Sequence, residues 1–189
     1  MIETKGKLFV ISGSSGVGKG TLLKVLFEKH SDLKLSISAT TRKPRVNEVD
    51  GVNYFFVSQE EFKSEIENNA FLEWAEFSGN YYGTKKDFVS KTLAKGIDVL
   101  LEIEVRGAKQ VKEKMPEAIS IFIMPPSLVE LETRLRGRQT EDEATIQRRL
   151  NEAAREIEAG KSFDYRVVND NIDDAILQLE KIYNLTKGE

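Results

Sequence analysis

One stretch of the chain has the residue types and spacing of an anion cradle: Gly13-Ser14-Ser15-Gly16-Val17-Gly18-Lys19-Gly20-Thr21. Its glycines let successive backbone N–H groups converge on one point, and a lysine follows the last of them. Converging amides at a helix N-terminus, with an ammonium beside them, suit phosphate oxygens. Lys19 is expected to reach the β- and γ-phosphates of a nucleotide as a point charge. The pattern departs in one place. Gly20 stands where a Ser or Thr hydroxyl normally contacts Mg2+, and Thr21 comes one position later. A magnesium ion is therefore expected to be held mainly by nucleotide phosphates and water, with Thr21 left to touch a phosphate. A second signal lies in the arginines. Of ten, seven fall in two short stretches, Arg42 and Arg45, then Arg134, Arg136, Arg138, Arg148 and Arg149. That pooling points to local anion binding. The competing reading is a solvated helix face.

These residues need elements to position them. Residues 7–12 form a short apolar run of strand formers before the glycine loop, and Leu22, Leu23, Leu26 and Phe27 recur at helical spacing after it. Further buried strands are expected at residues 98–105, 118–124 (stopped by Pro125-Pro126), 165–169 and, more weakly, 34–38. Near-continuous apolar strands separated by helices imply a parallel sheet covered on both faces, hence an α/β fold. Helix starts are expected at Ser58 with Glu61, Ser127 with Glu130, and Thr140 with Glu143, the last running towards Ile157. The final helix should bury Ile172, Ile176, Leu179 and Ile182/Tyr183, with Asp170 or Asn171 as its cap. Residues 40–86 differ in texture. They are rich in aromatics and carry turn signals at Asp50-Gly51 and Gly79-Asn80, so they read as an inserted α+β lobe.

Composition narrows the chemistry. With 189 residues the chain can build one core and a small inserted lobe. It has no cysteine, which excludes disulfides, zinc ribbons, iron–sulfur clusters and thiol nucleophiles, and its one histidine excludes a histidine-rich metal site. His30 itself reads as a surface residue at a helix end. A net charge of −3 argues against nucleic-acid or anionic-membrane binding. No apolar run approaches the roughly 18–20 residues of a membrane span, and the start has no cleavage-type pattern, so a cytoplasmic protein is expected.

The order and spacing of several further motifs resemble guanylate kinases, close to end to end. They are Ser36-Ile37-Ser38-Ala39-Thr40-Thr41-Arg42-Lys43-Pro44-Arg45, Asp50-Gly51-Val52-Asn53-Tyr54-Phe55-Phe56, Phe71-Leu72-Glu73-Trp74-Ala75, Gly79-Asn80-Tyr81-Tyr82-Gly83-Thr84, Leu101-Glu102-Ile103-Glu104, Pro125-Pro126-Ser127, Arg134-Leu135-Arg136-Gly137-Arg138 and Val168-Asn169-Asp170, beside the glycine loop. The resemblance implies a P-loop NTPase-type parallel sheet flanked by helices, with an inserted α+β GMP-binding lobe and a helical lid. In that scheme one domain divides into a core of residues 1–39, 86–126 and 150–189, a lobe of 40–85 and a lid of 127–149. It implies ATP-dependent phosphorylation of GMP, and of dGMP, with Mg2+, in a monomer or homodimer.

By the same resemblance Ser38, Arg42, Arg45, Tyr54, Glu73, Tyr82 and Thr84 line the GMP pocket. Glu104 lies on the GMP side, and Glu102 lies nearer the metal. Both glutamates stand where the family usually has aspartates. The chemistry of each residue agrees. Arg42 and Arg45 can clamp a phosphate with planar forks, and the two tyrosines can donate hydroxyl hydrogen bonds to it. Glu73 can accept from guanine N1–H and the 2-amino group together. Adenine offers a bare N1 there, and a site built for such a bond discriminates by ~10⁴ or more. Ser38 and Thr84 can complete the base contacts. Arg134, Arg138 and Arg149 match lid residues that reach the ATP phosphates and the transferring group. Lys19 and Arg42 join them as catalytic charges. Asn169 resembles a residue near the adenine, while Arg136 and Arg148 have no matched role and read as solvated. Two alternatives stand beside this one: another nucleoside-monophosphate kinase, and the non-catalytic guanylate-kinase-like modules of junctional scaffold proteins.

Overall fold

The computed structural model describes residues 5–137 and 142–187. In chain order the elements begin with β1 (Leu8–Gly13), α1 (Lys19–Lys29), β2 (Leu33–Leu35), β3 (Ala39–Thr40), β4 (Phe55–Phe56) and α2 (Gln59–Glu67). Next come β5 (Phe71–Phe77), β6 (Asn80–Lys85), α3 (Lys86–Leu93), β7 (Asp98–Glu102) and α4 (Val105–Lys114). The chain continues with β8 (Ile119–Met124), α5 (Leu128–Gly137), α6 (Glu143–Ala159), β9 (Tyr165–Val168) and α7 (Ile172–Lys187). A five-stranded sheet has the order β2-β7-β1-β8-β9, with β2/β7 and β8/β9 parallel. All six residues of β1 are buried, as its unbroken apolar run requires. This is the parallel sheet flanked by helices that the sequence implies. A second sheet of four strands has the order β4-β3-β6-β5.

By internal packing the chain divides within β1, after Val10, into two compact units. The first comprises residues up to Val10 and those from Asp32 to Ala118. Its four-stranded sheet falls in the segment that the sequence reads as an α+β insertion. The β5–β6 hairpin pairs Phe77 with Asn80 across Ser78 and Gly79, whose φ angles of 51° and 74° are those of a tight two-residue hairpin turn. Ala39, Phe62 and Phe71 are fully buried beneath it, with the Phe62 and Phe71 rings stacked at 4.3 Å. Phe55, Trp74 and Tyr81 pack partly buried against that core, whereas Phe77 is exposed. Ser58 caps α2 by accepting from the Glu61 N–H at 3.0 Å, as expected. β7 ends at Glu102, three residues short of the expected strand. Glu104 is already the N-cap of α4, which places Val105 in a helix.

The second unit holds residues 11–31 and those from Ile119 onward. Leu131 and Leu135 of α5 pack on Ala153 of α6. Ser127 caps α5 by accepting from the Glu130 N–H at 3.1 Å. Thr140, the expected cap of the next helix, lies outside the described residues. α6 starts at Glu143 under Asp142, whose carboxylate accepts from the Thr145 N–H at 2.7 Å. Asn171 caps α7 through the N–H groups of Asp173 and Asp174. The buried face of α7 runs through Ala175, Ile176, Leu179, Ile182 and Tyr183, whereas Ile172, the first residue of the helix, is 39% exposed. His30 is half-buried rather than a plain surface residue. Its ring tilts against Tyr183 at 4.5 Å, and its Nε2 lies 3.8 Å from Glu180, which also pairs with Lys29.

Candidate active site

The glycine loop leaves β1 and delivers the chain to α1 through Gly18, which has φ 94° and is the helix N-cap. A left-handed residue there needs glycine, and a Cβ would also lie 2.6 Å from the Asn169 amide nitrogen. α1 has no acidic residue in its first turn and no side-chain cap, so its positive end is open to an anion. The Lys19 ammonium folds back onto its own loop, donating to the Gly13 carbonyl at 2.5 Å and the Ser14 carbonyl at 3.3 Å. The Ser14 hydroxyl is buried and finds no hydrogen-bond partner among the described residues. Gly20, by contrast, has open space where a side chain would go, so sterics do not require it.

Two arginines of the expected lid meet the loop. Arg149 donates to the Ser15 hydroxyl at 3.2 Å. Arg134 donates to Glu130 at 3.0 Å and to the Asn169 carbonyl at 2.8 Å. Arg138 lies outside the described residues. Asn169 is buried, and its amide donates to the Val17 carbonyl at 2.8 Å, so it braces the loop from beneath. Arg148 is exposed, as expected. Arg136 is exposed too, as expected, but it is not without partners: it pairs with Glu132 at 2.7 Å and takes both oxygens of Glu143, tying α5 to α6. The bidentate guanidinium, helped by Gln147, holds the Glu143 carboxyl down at about 2.

The first unit carries a separate pocket. A cavity of about 300 Å³ is lined by Ser38, Tyr54, Glu73, Tyr82, Glu104 and Arg106, among others. A neighbouring one of about 150 Å³ shares Ser38, Tyr54 and Glu102 and adds Thr84. Hairpin register explains the convergence. Glu73 stands opposite Thr84 and Ala75 opposite Tyr82, so these four side chains share one face of the sheet. Glu73 is 6% exposed and accepts a 2.6 Å hydrogen bond from the Thr84 hydroxyl. Burial pushes its carboxyl above the ordinary range. Thr84 and the Lys114 charge oppose that shift, and Glu104 adds to it.

Near the pocket, Arg42 has a partner that its spacing did not suggest. Both Glu48 oxygens accept from its guanidinium, at 2.9 and 3.0 Å, and Glu48 also accepts from the Arg45 N–H at 2.7 Å. The Arg42 hydrogen bond, with that of Arg45 behind it, holds the Glu48 carboxyl below its usual range. The Arg42 guanidinium also lies 5.5 Å from the Tyr54 ring centre and 6.0 Å from that of Phe56. Glu48 is thus the residue that sequence reasoning missed at this clamp. The available signal was a carboxylate three residues after Arg45 and six after Arg42. Arg45 is exposed and, among the described residues, its guanidinium makes no ion pair.

Residues 5–185 match the family model described as guanylate kinase. A guanylate kinase of Synechococcus sp. (strain CC9311) is 55% identical, over 94% of this chain and 93% of its own. One from Clostridioides difficile (strain 630) is 50% identical over 100% of this chain and 92% of its own. The crystal structure of guanylate kinase from Anaplasma phagocytophilum matches with a TM-score of 0.73 at 33% identity, covering 98% of this chain and 88% of that one.

Proposed function

The chain belongs to the guanylate kinase family, and from that premise we propose how its own residues work. The reaction is ATP-dependent phosphorylation of GMP, ATP + GMP giving ADP + GDP. The observation that carries the residue assignments is the buried Glu73 carboxylate held by Thr84 on the pocket wall. Glu73 accepts from guanine N1–H and the 2-amino group, and Ser38 and Thr84 complete the base contacts. Arg42, preset by Glu48, clamps the GMP phosphate with Arg45, Tyr54 and Tyr82. Glu104 lines the same pocket.

The loop from Gly13 to Thr21 cradles the ATP phosphates at the N-terminus of α1. Lys19 swings from its own carbonyls to the phosphates. Arg134, Arg138 and Arg149 supply further positive charge, and Asn169 supports the loop on the adenine side. The nucleophile is a phosphate oxygen that is already anionic near neutral pH, so no general base is required. Catalysis is alignment plus charge stabilisation of a loose transition state. The lobe of residues 40–85 and the lid of 127–149 close on their nucleotides within one guanylate-kinase-like domain. Closure excludes water and suppresses ATP hydrolysis.

The donors present suit an ion that arrives with ATP. Among the described residues no cluster of three acidic or histidine side chains gathers at a point, and Gly20 offers no hydroxyl. Phosphate and water would then hold most of the Mg2+ ion, and Glu102, exposed at the end of β7, is the carboxylate that would stand near it. Bound there, Mg2+ supplies neutralisation of the β- and γ-phosphate charge. The proposed setting is purine nucleotide metabolism in the cytoplasm; no described helix is long and apolar enough to cross a membrane. The test is ADP formation from ATP with GMP, dGMP, AMP, UMP and dTMP in turn. Turnover with GMP and dGMP is expected. Preference for AMP or a pyrimidine would sink the assignment of Glu73 to guanine.

A further inference from the structure

Among the described residues β5 is an edge strand of its sheet, because the order β4-β3-β6-β5 leaves one side without a strand partner. An unpaired edge next to a specificity residue would let that residue wander. Side chains of α4 occupy this edge. Gln110 accepts from the Trp74 N–H at 3.2 Å and donates to the Trp74 carbonyl at 3.0 Å, much as a neighbouring strand would. One turn further on, Lys114 donates to the Phe71 carbonyl at 2.8 Å. One turn back, Gly107 lies directly against the carboxylate: a Cβ there would sit 2.9 Å from Glu73 Oε2. Positions 107, 110 and 114 are three and four apart, hence one face of the helix. The backbone on both sides of Glu73 is therefore gripped from α4, and the glycine leaves room for the carboxylate itself.

We infer that Gln110 is a positioning residue for base recognition: by pairing with the Trp74 backbone it fixes the adjoining Glu73 carboxylate, with Gly107 providing the clearance. Gln110 touches no nucleotide in this scheme. The inference rests on Glu73 reading guanine, so that premise is measured alongside it.

The experiment compares Gln110→Met, Gly107→Ala, Glu73→Gln and the double variant Gln110→Met/Glu73→Gln. KM and kcat are measured for GMP, AMP and ATP, with a melting curve for each protein. Methionine keeps the length of Gln110 and removes both polar atoms. Gln110→Met is expected to raise KM for GMP about tenfold, the order of a lost hydrogen bond. KM for ATP and kcat at saturating GMP should hold, and GMP-over-AMP selectivity should fall by the same factor. Gly107→Ala should give the same split, because the carboxylate must shift away from the new methyl group. In the Glu73→Gln background, Gln110→Met should cause little further loss, since the group it positions is already altered. A loss that multiplies with that of Glu73→Gln, or one that falls equally on ATP and GMP, overturns the inference. So does unchanged selectivity in Gln110→Met when Glu73→Gln is impaired. If Glu73→Gln itself keeps full selectivity, the assignment of Glu73 has failed instead, and the inference falls with it. Should Gln110→Met not fold, Gln110→Glu takes its place. It keeps the acceptor for the Trp74 N–H and loses the donor, so a partial rise in KM for GMP alone supports the inference, and an unchanged KM refutes it.

Discussion

Glu73→Gln retains the shape of the side chain and removes its charge, which isolates the base-reading role proposed for it. The native carboxylate is 6% exposed and already engaged by Thr84 at 2.6 Å, so water cannot replace a lost partner. Guanine presents two donors to two carboxylate oxygens. The amide presents one oxygen and one NH2, so one guanine N–H meets another N–H. An unmatched buried donor costs about 1–3 kcal/mol, and exchanging a charged for a neutral acceptor costs about 1 more. A total of roughly 3 kcal/mol corresponds to about a 150-fold fall in kcat/KM for GMP. Adenine N1 is an acceptor and finds a donor in the amide, so kcat/KM for AMP should hold or rise. The assay is coupled ADP release at saturating ATP with each monophosphate. A GMP-to-AMP ratio within about threefold of native, against an expected change of order 150-fold, would refute the reasoning.

Melting supplies the control, with a definite sign. Burial raises the Glu73 carboxyl above its unfolded value. Its contribution therefore favours the fold fully below the unfolded pKa and is lost as pH rises through the folded one. Glu73→Gln should melt no lower than native at neutral pH, with any advantage shrinking in acid. In the native protein, KM for GMP should rise as pH falls through the raised Glu73 value, because the neutral acid has lost one acceptor.

Three further expectations follow from the site. Lys19→Ala should lower kcat by at least ~100-fold, since phosphate charge goes uncompensated in the transition state; near-native turnover in the coupled assay would remove Lys19 from the mechanism. Glu48→Gln should raise KM for GMP about three- to tenfold with kcat held, because Arg42 loses its bidentate guide. The Arg42–Glu48 pair itself adds nothing to the acid dependence of KM until pH falls through the depressed Glu48 value. Arg136→Ala should lower the melting temperature slightly, with the difference erased at high salt, because the pair is exposed. Glu143 is depressed to about 2, so that contribution is present above its unfolded value and disappears as pH falls towards 2. A melting difference that persists in strong acid would show that Arg136 acts through packing instead.

Much of the fold was readable because its determinants are local. The strand, glycine loop and helix follow one another within residues 8–29, and the β5–β6 hairpin turns on Ser78-Gly79. Once that turn is set, register places Glu73 opposite Thr84 without further information. Element ends were less legible. Val105 looks like strand because it extends an apolar run, yet Glu104 has already turned the chain into α4. Thr140 with Glu143 has the form of a capping box, but Asp142 stands nearer the start of the helix and captures the Thr145 N–H.

By itself the sequence determined the glycine loop between β1 and α1, the residue types that line the Glu73 pocket, the α/β class and the lack of any cysteine. Each of these rests on neighbours in the chain or on composition. The tertiary structure alone decided who holds whom. Arg149 meets Ser15 across 134 residues, and Asn169 braces Val17 across 152. Gln110 pairs with Trp74 across 36, while Arg136, though exposed, pairs with Glu132 and Glu143. Polar groups that burial brings together must satisfy one another, and which groups meet depends on how whole elements pack. No spacing rule along the chain contains that information.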